Sequence, residues 1–492
     1  MNYRLIAFVF GEIALIMGAI MCIPMFMALG YGENFTIAAF GIAIGVCVVL
    51  GGAGLALRPP KNKRDIRPSS GFAICGMLWI VISLIGALPY CISGYIPDFM
   101  DALFETISGF TTTGATILTD VEALPKSLLF WRSITQWLGG MGVLVFAIAL
   151  LPKNDKMSTA LAKAEIPGPQ FGKLVSKLRF TSRILYAIYV VLTLVLAGIL
   201  CICKMPVFDS FCHAFTTAST GGFSVRNLSI AYYNSASIEI VLTIFMLLFS
   251  INFNIFFMIL IGRFLKAIRS EEFICMFIIF FIGTAAIAIN LAVNHTYDNA
   301  GDAIRYSAFN IAGMISTTCF ANANADFSQW PILSQVILIA VMCIGGSAGS
   351  TAGGIKVSRL IITSKSSLIN LRKTLSPRSV YSVKMEGKPI GDDTVANVQN
   401  FFVLYIIIVV VSTLLVSIQT PNMGGSLFEN NLTAVLACIN NIGPGLGAVG
   451  PMGNYTGYGV FSKIIFCIDM LVGRLEILPI LLMFSPKSWK RI

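Results

Sequence analysis

Four short stretches rich in Thr, Ser, Asn and Gly hold the residue types needed to replace the water shell of a cation. They read TTTGAT from Thr111 to Thr116, STGGFS from Ser219 to Ser224, STTCFA from Ser316 to Ala321 and NNIGPG from Asn440 to Gly445. Backbone carbonyls arranged in a ring substitute for an ion's hydration, and glycine supplies the positive φ that turns successive carbonyls to one side. The stretches align without gaps from what precedes them, since Phe104 stands ten residues before Gly114 and Phe309 ten before Cys319. The third departs from the others by carrying Cys319 where they have Gly114, Gly222 and Gly443.

A second chemistry-bearing stretch interrupts an apolar run. Gly345, Gly346, Gly349, Gly353 and Gly354 alternate with Ser347, Ser350 and Thr351, and each glycine costs a helix about 1 kcal/mol. The run therefore reads as broken at membrane depth. Arg474 stands inside the last apolar run, where a charge needs a cavity or a partner; Glu476, Asp469 and Lys463 lie close enough in sequence to supply one. Three enzyme motifs match here by accident. Gly345 to Gly349 satisfies G-x-S-x-G, but the two histidines, His213 and His295, are expected on the outer side. Gly445, Gly447 and Gly450 satisfy G-x-G-x-x-G with no preceding strand. Gly349 to Gly354 resembles a phosphate loop, yet Ile355 puts Lys356 out of register.

The elements that must position these stretches are membrane spans. Runs near 5–29, 35–57, 71–94, 130–151, 182–203, 238–262, 273–293, 332–344 with its continuation, 399–418 and 458–484 each approach the roughly 20 residues that cross a bilayer. The first lacks a small-residue cleavage site and reads as a retained span. After the first two spans, one unit repeats four times: a span, a segment of about a dozen residues too short to cross, one of the Thr/Gly stretches, and a second span. The short segments begin near Pro97, Pro206, Gly301 and Gly425. Non-helical backbone at membrane depth is tolerated only where protein or a wet cavity satisfies it, so four such loops imply one shared pore. The four short helices would point their partially negative C-termini at its axis, favouring a cation. The expected fold is an all-α polytopic membrane protein: two N-terminal spans (1–64), then pore repeats over 65–152, 153–269, 270–375 (with the intramembrane loop 345–354) and 376–492.

Composition and charge agree. Of 492 residues, 56% are hydrophobic and 12% charged, with mean hydropathy +0.83. A soluble domain carries about 25% charged residues, so a soluble enzyme and a disordered chain are both excluded. The net charge of +11 does not indicate nucleic acid, because Lys and Arg fall between apolar runs. With both termini inside, 27 of the 34 Lys and Arg lie on the inner face and 12 of the 23 acidic residues on the outer one, as the positive-inside rule expects. An outer face of net −8 would concentrate cations. Arg132, Lys463, Arg474, Glu12, Asp469 and Glu476 are left within the membrane. Cysteines such as Cys22, Cys47 and Cys467 lie inside apolar runs and act as small hydrophobes.

Together TTTGAT at Thr111, STGGFS at Ser219, NNIGPGLG from Asn440, GGSAGSTAGGIKVSR from Gly345 to Arg359 and GRLEI from Gly473 to Ile477 resemble the TrkH branch of the Trk/Ktr/HKT superfamily of potassium transporters. The resemblance covers essentially the whole chain, including the two extra N-terminal spans. It implies that Gly114, Gly222 and Gly443 are filter glycines, that Thr112, Thr113, Thr220, Gly221, Thr317, Thr318, Asn441 and Ile442 supply neighbouring oxygens to K+, and that Cys319 occupies the third filter position. Because a Cβ penalises positive φ by roughly 1–2 kcal/mol, the third loop either tolerates Cys319 or discriminates less well between K+ and Na+. The resemblance further implies that the 345–354 loop obstructs the pore beneath the filter and moves on gating, with Arg474 facing it. It implies a multi-pass protein of the bacterial inner membrane, a homodimer controlled by a cytoplasmic, TrkA-like ring of nucleotide-binding subunits, with K+ as cargo and no cofactor. Lys365 to Lys388 is the expected docking surface, with anionic lipid as a rival for the same charge. Alternating access would call for inverted repeats; here all four share one polarity. Channel-like flux and coupling to H+ or Na+ both remain open.

Overall fold

The computed structural model describes residues 3–59, 68–142, 178–322, 327–376, 381–419 and 424–477. The basic positions from Lys61 to Arg67, from Lys153 to Lys177 and from Lys487 to Arg491 lie outside the described residues, as do Arg378, Asp326 and the inner ends expected for the fourth and tenth spans.

The chain opens with a helical hairpin, α1 (Tyr3–Tyr31) and α2 (Asn34–Ala56). Small residues let these helices cross closely, as is usual in lipid: a Cβ on Gly11 would lie 2.7 Å from the Gly54 Cα, and one on Gly54 2.6 Å from the Ala7 carbonyl oxygen. Four units follow with the expected order of span, short helix, loop and span. They are α3 (Pro68–Ser93), α4 (Phe99–Phe110) and α5 (Lys126–Gly140); α6 (Leu178–Ile202), α7 (Val207–Ala218) and the pair α8 (Ala236–Ser250) and α9 (Phe253–Leu260). After a short α10 (Phe264–Ile268) come α11 (Glu271–Val293), α12 (Ala300–Ser316), α13 (Ile332–Ile344) and α14 (Val357–Leu375). A two-residue β-ladder joins Lys384–Met385 to Lys388–Pro389, and the last unit is α15 (Asp392–Val416), α16 (Leu427–Ile439) and α17 (Val460–Leu475). Among the described residues six helices are long and apolar enough to cross a membrane, with α8 and α9 forming a bent pair.

Two expectations need correction. The run 238–262 is not one continuous span: α8 and α9 meet at a bend of 90°. Asn252 causes it by accepting the Asn254 N–H at 2.9 Å and so starting a new helix. The third short helix, at 17 residues, is longer than the dozen expected.

Two apolar clusters carry the packing. One unites α1–α5 with α16 and α17 around Trp79, Trp131, Phe104, Phe110 and Phe466; the other unites α6–α9 with α11–α13 around Tyr189, Phe249, Phe253 and Phe309. The short helices are therefore gripped from behind by the spans. Trp131 of α5 donates its indole N–H to the Gly86 carbonyl of α3 at 3.1 Å, and a Cβ on Gly86 would strike the Thr106 and Phe110 side chains of α4.

Candidate functional site

The helices α4, α7, α12 and α16 end in the same way. After each, one residue takes a left-handed conformation: Thr112 (φ 56°), Thr220 (58°), Thr317 (61°) and Asn441 (53°). Its N–H bonds back three residues, to Gly109, Thr217, Met314 and Cys438, at 3.0–3.2 Å. The next N–H bonds back five, from Thr113 to Ser108, Gly221 to Thr216, Thr318 to Gly313 and Ile442 to Ala437, at 2.9–3.0 Å. This is a Schellman termination repeated four times. The residue after it returns to positive φ: Gly114 at 85°, Gly222 at 76°, Gly443 at 88° and Cys319 at only 50°. The sequence pointed to the glycines; that Thr and Asn would hold the first left-handed position had no glycine to signal it.

The four loops face one another. A Cβ on Gly114 would overlap the Gly221 carbonyl oxygen, and one on Gly222 the Thr318 oxygen, while one on Gly443 would sit 2.6 Å from the Thr113 oxygen. Loop one thus abuts loop two, two abuts three, and four abuts one; Cys319 stands at the equivalent place on loop three. Gly114, Gly222, Cys319 and Gly443 all line a single cavity of about 120 Å³. Asn441 ties loop four to loop one by donating to the Thr113 hydroxyl at 3.0 Å. Behind loop two, Gln136 of α5 donates to the Gly221 carbonyl at 2.7 Å and accepts the Phe223 N–H at 3.1 Å. The Thr112 hydroxyl and the Asn441 side-chain oxygen are buried with no hydrogen-bond partner.

The acidic outer mouth expected from charge counting does not extend to this cavity. Among the described residues its lining includes Arg132 and Arg226 and no carboxylate. Arg132 is paired with Glu105, Arg226 with Asp209 at 3.1 Å and Glu122 at 3.2 Å, and Lys463 with Asp101. Carboxylates counted as an open rim are taken up by these ion pairs, two of them with basic residues assigned by sequence to the membrane interior.

Beneath the loops lies the glycine-rich segment between α13 and α14. Gly353 donates its N–H to the Thr317 hydroxyl at 2.8 Å, and Gly354 donates to the Asn440 carbonyl at 3.0 Å. Glycine is required for that approach, since a Cβ on Gly353 would overlap the same Asn440 oxygen and one on Gly345 the Gly353 oxygen. Other contacts anchor the segment. The break between α8 and α9 leaves carbonyls free: Ser347 N–H donates to Ser250 at 3.0 Å and the Thr351 hydroxyl to Phe249 at 3.1 Å. The Gly349 carbonyl accepts the Phe253 N–H at 3.1 Å. The buried Glu272 carboxylate accepts the Ala348 N–H, and the buried Lys356 ammonium donates to the Ala352 carbonyl. Gly346 and Ser350 complete the fold of the segment, through Val357 N–H to the Gly346 carbonyl at 3.0 Å and the Ser350 hydroxyl to the Ser347 carbonyl at 2.6 Å.

Arg474 reaches this segment from α17. It donates to the Thr351 carbonyl at 2.9 Å, to Gly140 at 2.6 Å and to Gly139. The charged neighbours weighed as alternative partners are engaged elsewhere: Glu476 with Arg359, Lys463 with Asp101, and Asp469 with the Ser412 hydroxyl at 2.7 Å. Glu105, Arg132, Gln136, Glu272 and Lys356 were not singled out as site residues from the sequence. Arg132 stood out only as a charge left at membrane depth and Lys356 only as part of the GGSAGSTAGGIKVSR motif; Glu105, Gln136 and Glu272 carried no signal of their own.

Comparison with known proteins places this architecture. A family model described as TrkH, cation transport protein, matches residues 37–491. The chain is 34% identical over 498 residues to the Trk system potassium uptake protein TrkH of Escherichia coli (strain K12), and 32% identical over 499 residues to that of Halomonas elongata; both matches cover 100% of each chain. The crystal structure of the potassium transporter TrkH from Vibrio parahaemolyticus superimposes with a TM-score of 0.87 at 29% identity, covering 100% of both chains.

Proposed function

The chain belongs to the TrkH family of cation transport proteins, and on that premise we propose that it is the potassium-translocating membrane subunit of a Trk-type uptake system. The observation that carries the reading is the convergence of four identically terminated helices on one cavity, with Gly114, Gly222, Cys319 and Gly443 facing it together. A ring of loops held at positive φ is a way to present backbone oxygens to a dehydrated ion. The orphaned oxygens of Thr112 and Asn441 support it, since an acceptor without a donor is what a cation needs. Thr113, Thr220, Gly221, Thr317, Thr318 and Ile442 complete the filter in this reading.

Gly345, Gly346, Ser347, Gly349, Ser350, Thr351, Gly353 and Gly354 form the gate, latched by Arg474. The segment bonds to loops three and four from below, and Arg474 ties it to α5. Its own glycines and its seat at the α8/α9 break make it the element that moves. The protein works in the bacterial inner membrane with its termini inside, as a homodimer on a cytoplasmic ring of nucleotide-binding subunits that docks against the Lys365–Lys388 region. The repeats, organised as 65–152, 153–269, 270–375 and 376–492, share one polarity, which favours a fixed pore over rocking halves.

The test is cation flux through purified protein in liposomes, using Rb+ as tracer and competition by K+ and Na+. Rb+ uptake displaced by K+ in preference to Na+ is the expected result. Absence of cation flux with the nucleotide-binding partner present would overturn the reading.

A further inference from the structure

The loops are terminated alike, but three of the four have a different buried polar side chain behind them at the same position. Nine residues before Gly114, Gly222 and Cys319 stand Glu105, His213 and Asn310, all buried on their short helices at 1%, 0% and 2% exposure. Each reaches across to the segment that leaves its loop. Glu105 accepts the Thr116 hydroxyl at 3.0–3.1 Å and the Ile117 N–H at 3.1 Å. His213 places Nδ1 at 2.8 Å from the Asp209 carbonyl, which can only accept, so Nδ1 carries the proton and Nε2 accepts the Ser224 hydroxyl at 3.0 Å. Asn310 donates to the Asn322 side-chain oxygen at 3.2 Å. In the fourth unit the equivalent residue is Ala434, and its neighbour Thr433 accepts the Leu446 N–H at 3.0 Å instead.

Arg132 of α5 connects two of these struts. It pairs with Glu105, donates to the Ser224 carbonyl at 2.8 Å and lies 3.5 Å over the Phe223 ring. One guanidinium therefore touches the support of loop one and the exit of loop two. A charge pair at this depth is costly unless it has a task.

We propose that Glu105, His213 and Asn310 are positioning residues that set the width of the loop ring, with Arg132 locking loops one and two in register. The proposal rests on the reading of those loops as the ion filter. The helix termination fixes how each loop enters, and the struts hold the first residues of the outgoing half against relaxation; on loop two the Asp209–Arg226 ion pair holds the chain further out. A residue of this kind acts on which ion passes more than on whether any ion passes.

Two variants test it in liposomes by the ratio of K+ to Na+ competition against Rb+ flux. Glu105→Gln keeps the size of the strut and removes the pairing with Arg132. Ser224→Ala removes one hydroxyl from the second strut, leaves no charge unpaired, and decides the matter if Glu105→Gln does not fold. The expected result is a loss of K+ preference of about fivefold or more, with Rb+ flux per folded protein retained, as a ring of coordinating oxygens of altered width would give. Gly222→Ala, measured alongside, tests the underlying reading. Should it leave flux and preference intact, the filter assignment falls. Should it abolish flux while Ser224→Ala and any folded Glu105→Gln keep the parent's ion preference, the struts are structural only and the proposal is overturned.

Discussion

Replacing Cys319 by glycine is the most direct test of how the third loop differs from the others. The three glycines at this position hold φ between 76° and 88°, whereas Cys319 is at 50°, inside the left-handed well that an L-residue can reach. That well costs a residue with a Cβ roughly 1–2 kcal/mol. The side chain also stands where the other loops carry only a hydrogen, at a seam where Cβ atoms on the neighbouring loops would meet carbonyl oxygens. Cys319→Gly removes both constraints and lets loop three adopt the conformation of the rest. If all of the relieved strain goes into ion discrimination, K+ over Na+ preference rises by about 5- to 30-fold, at 1.4 kcal/mol per tenfold. Reversal potentials across a bilayer with K+ on one side and Na+ on the other read this directly. Cys319→Ser, which keeps the Cβ, is expected to behave as the parent. Equal preference in Cys319→Gly and the parent would refute the reasoning, because the ring would then be indifferent to the one Cβ in it.

Gly222→Ala places a methyl on the Thr318 carbonyl oxygen and is expected to abolish Rb+ flux while the protein still reaches the membrane; retained flux would argue that the ring is not the ion path. Arg474→Ala removes the donations to Thr351, Gly139 and Gly140, and at about 1.5–3 kcal/mol for a hydrogen bond to a charged group it should raise resting flux by roughly tenfold or more, measured as Rb+ leak without the nucleotide-binding partner. Glu33→Ala removes a carboxylate that accepts the Lys126 N–H at 2.9 Å, the Ser127 N–H at 3.2 Å and the Ser127 hydroxyl at the start of α5. The loss of such a cap, about 1 kcal/mol, should lower the melting temperature in detergent by about 1–4 °C without changing ion preference in liposomes.

The spans were legible in the sequence because twenty consecutive apolar residues have few other uses, and the loops because Thr and Gly at membrane depth need an excuse. What could not be read is informative. The break at Asn252 hides inside the apolar run 238–262, since a single Asn shifts hydropathy little while its side chain starts a new helix. Thr112, Thr220, Thr317 and Asn441 take left-handed backbone without being glycine, so the repeated helix ending has no one-letter signature. Charge counting along the chain put Glu105 and Asp101 on an acidic rim and Arg132 and Lys463 in the membrane; pairing across the fold joins them. Long basic side chains reach several ångströms from their own depth, which a linear tally does not register.

The helix endings are fourfold alike while everything that would operate them is not, and this asymmetry has a mechanical use. The glycine-rich segment occurs only in the third unit, yet it makes contact with all four: with Phe249 and Ser250 of the second, Thr317 of the third, Asn440 of the fourth and, through Arg474, Gly139 and Gly140 of the first. Four independent gates would have to move together to pass an ion. As the proposed gate, one segment seated on all four repeats would need only one displacement, and its seat is made of single hydrogen bonds to backbone and hydroxyl groups, worth about 0.5–1.5 kcal/mol each. The charged anchors Glu272, Lys356 and Arg474 are the larger contributions holding it. In the proposed reading, a regulatory partner on the inner face has no need to deform the ring of loops; pulling on α14, which follows directly from Lys356, would load the segment at its charged end first.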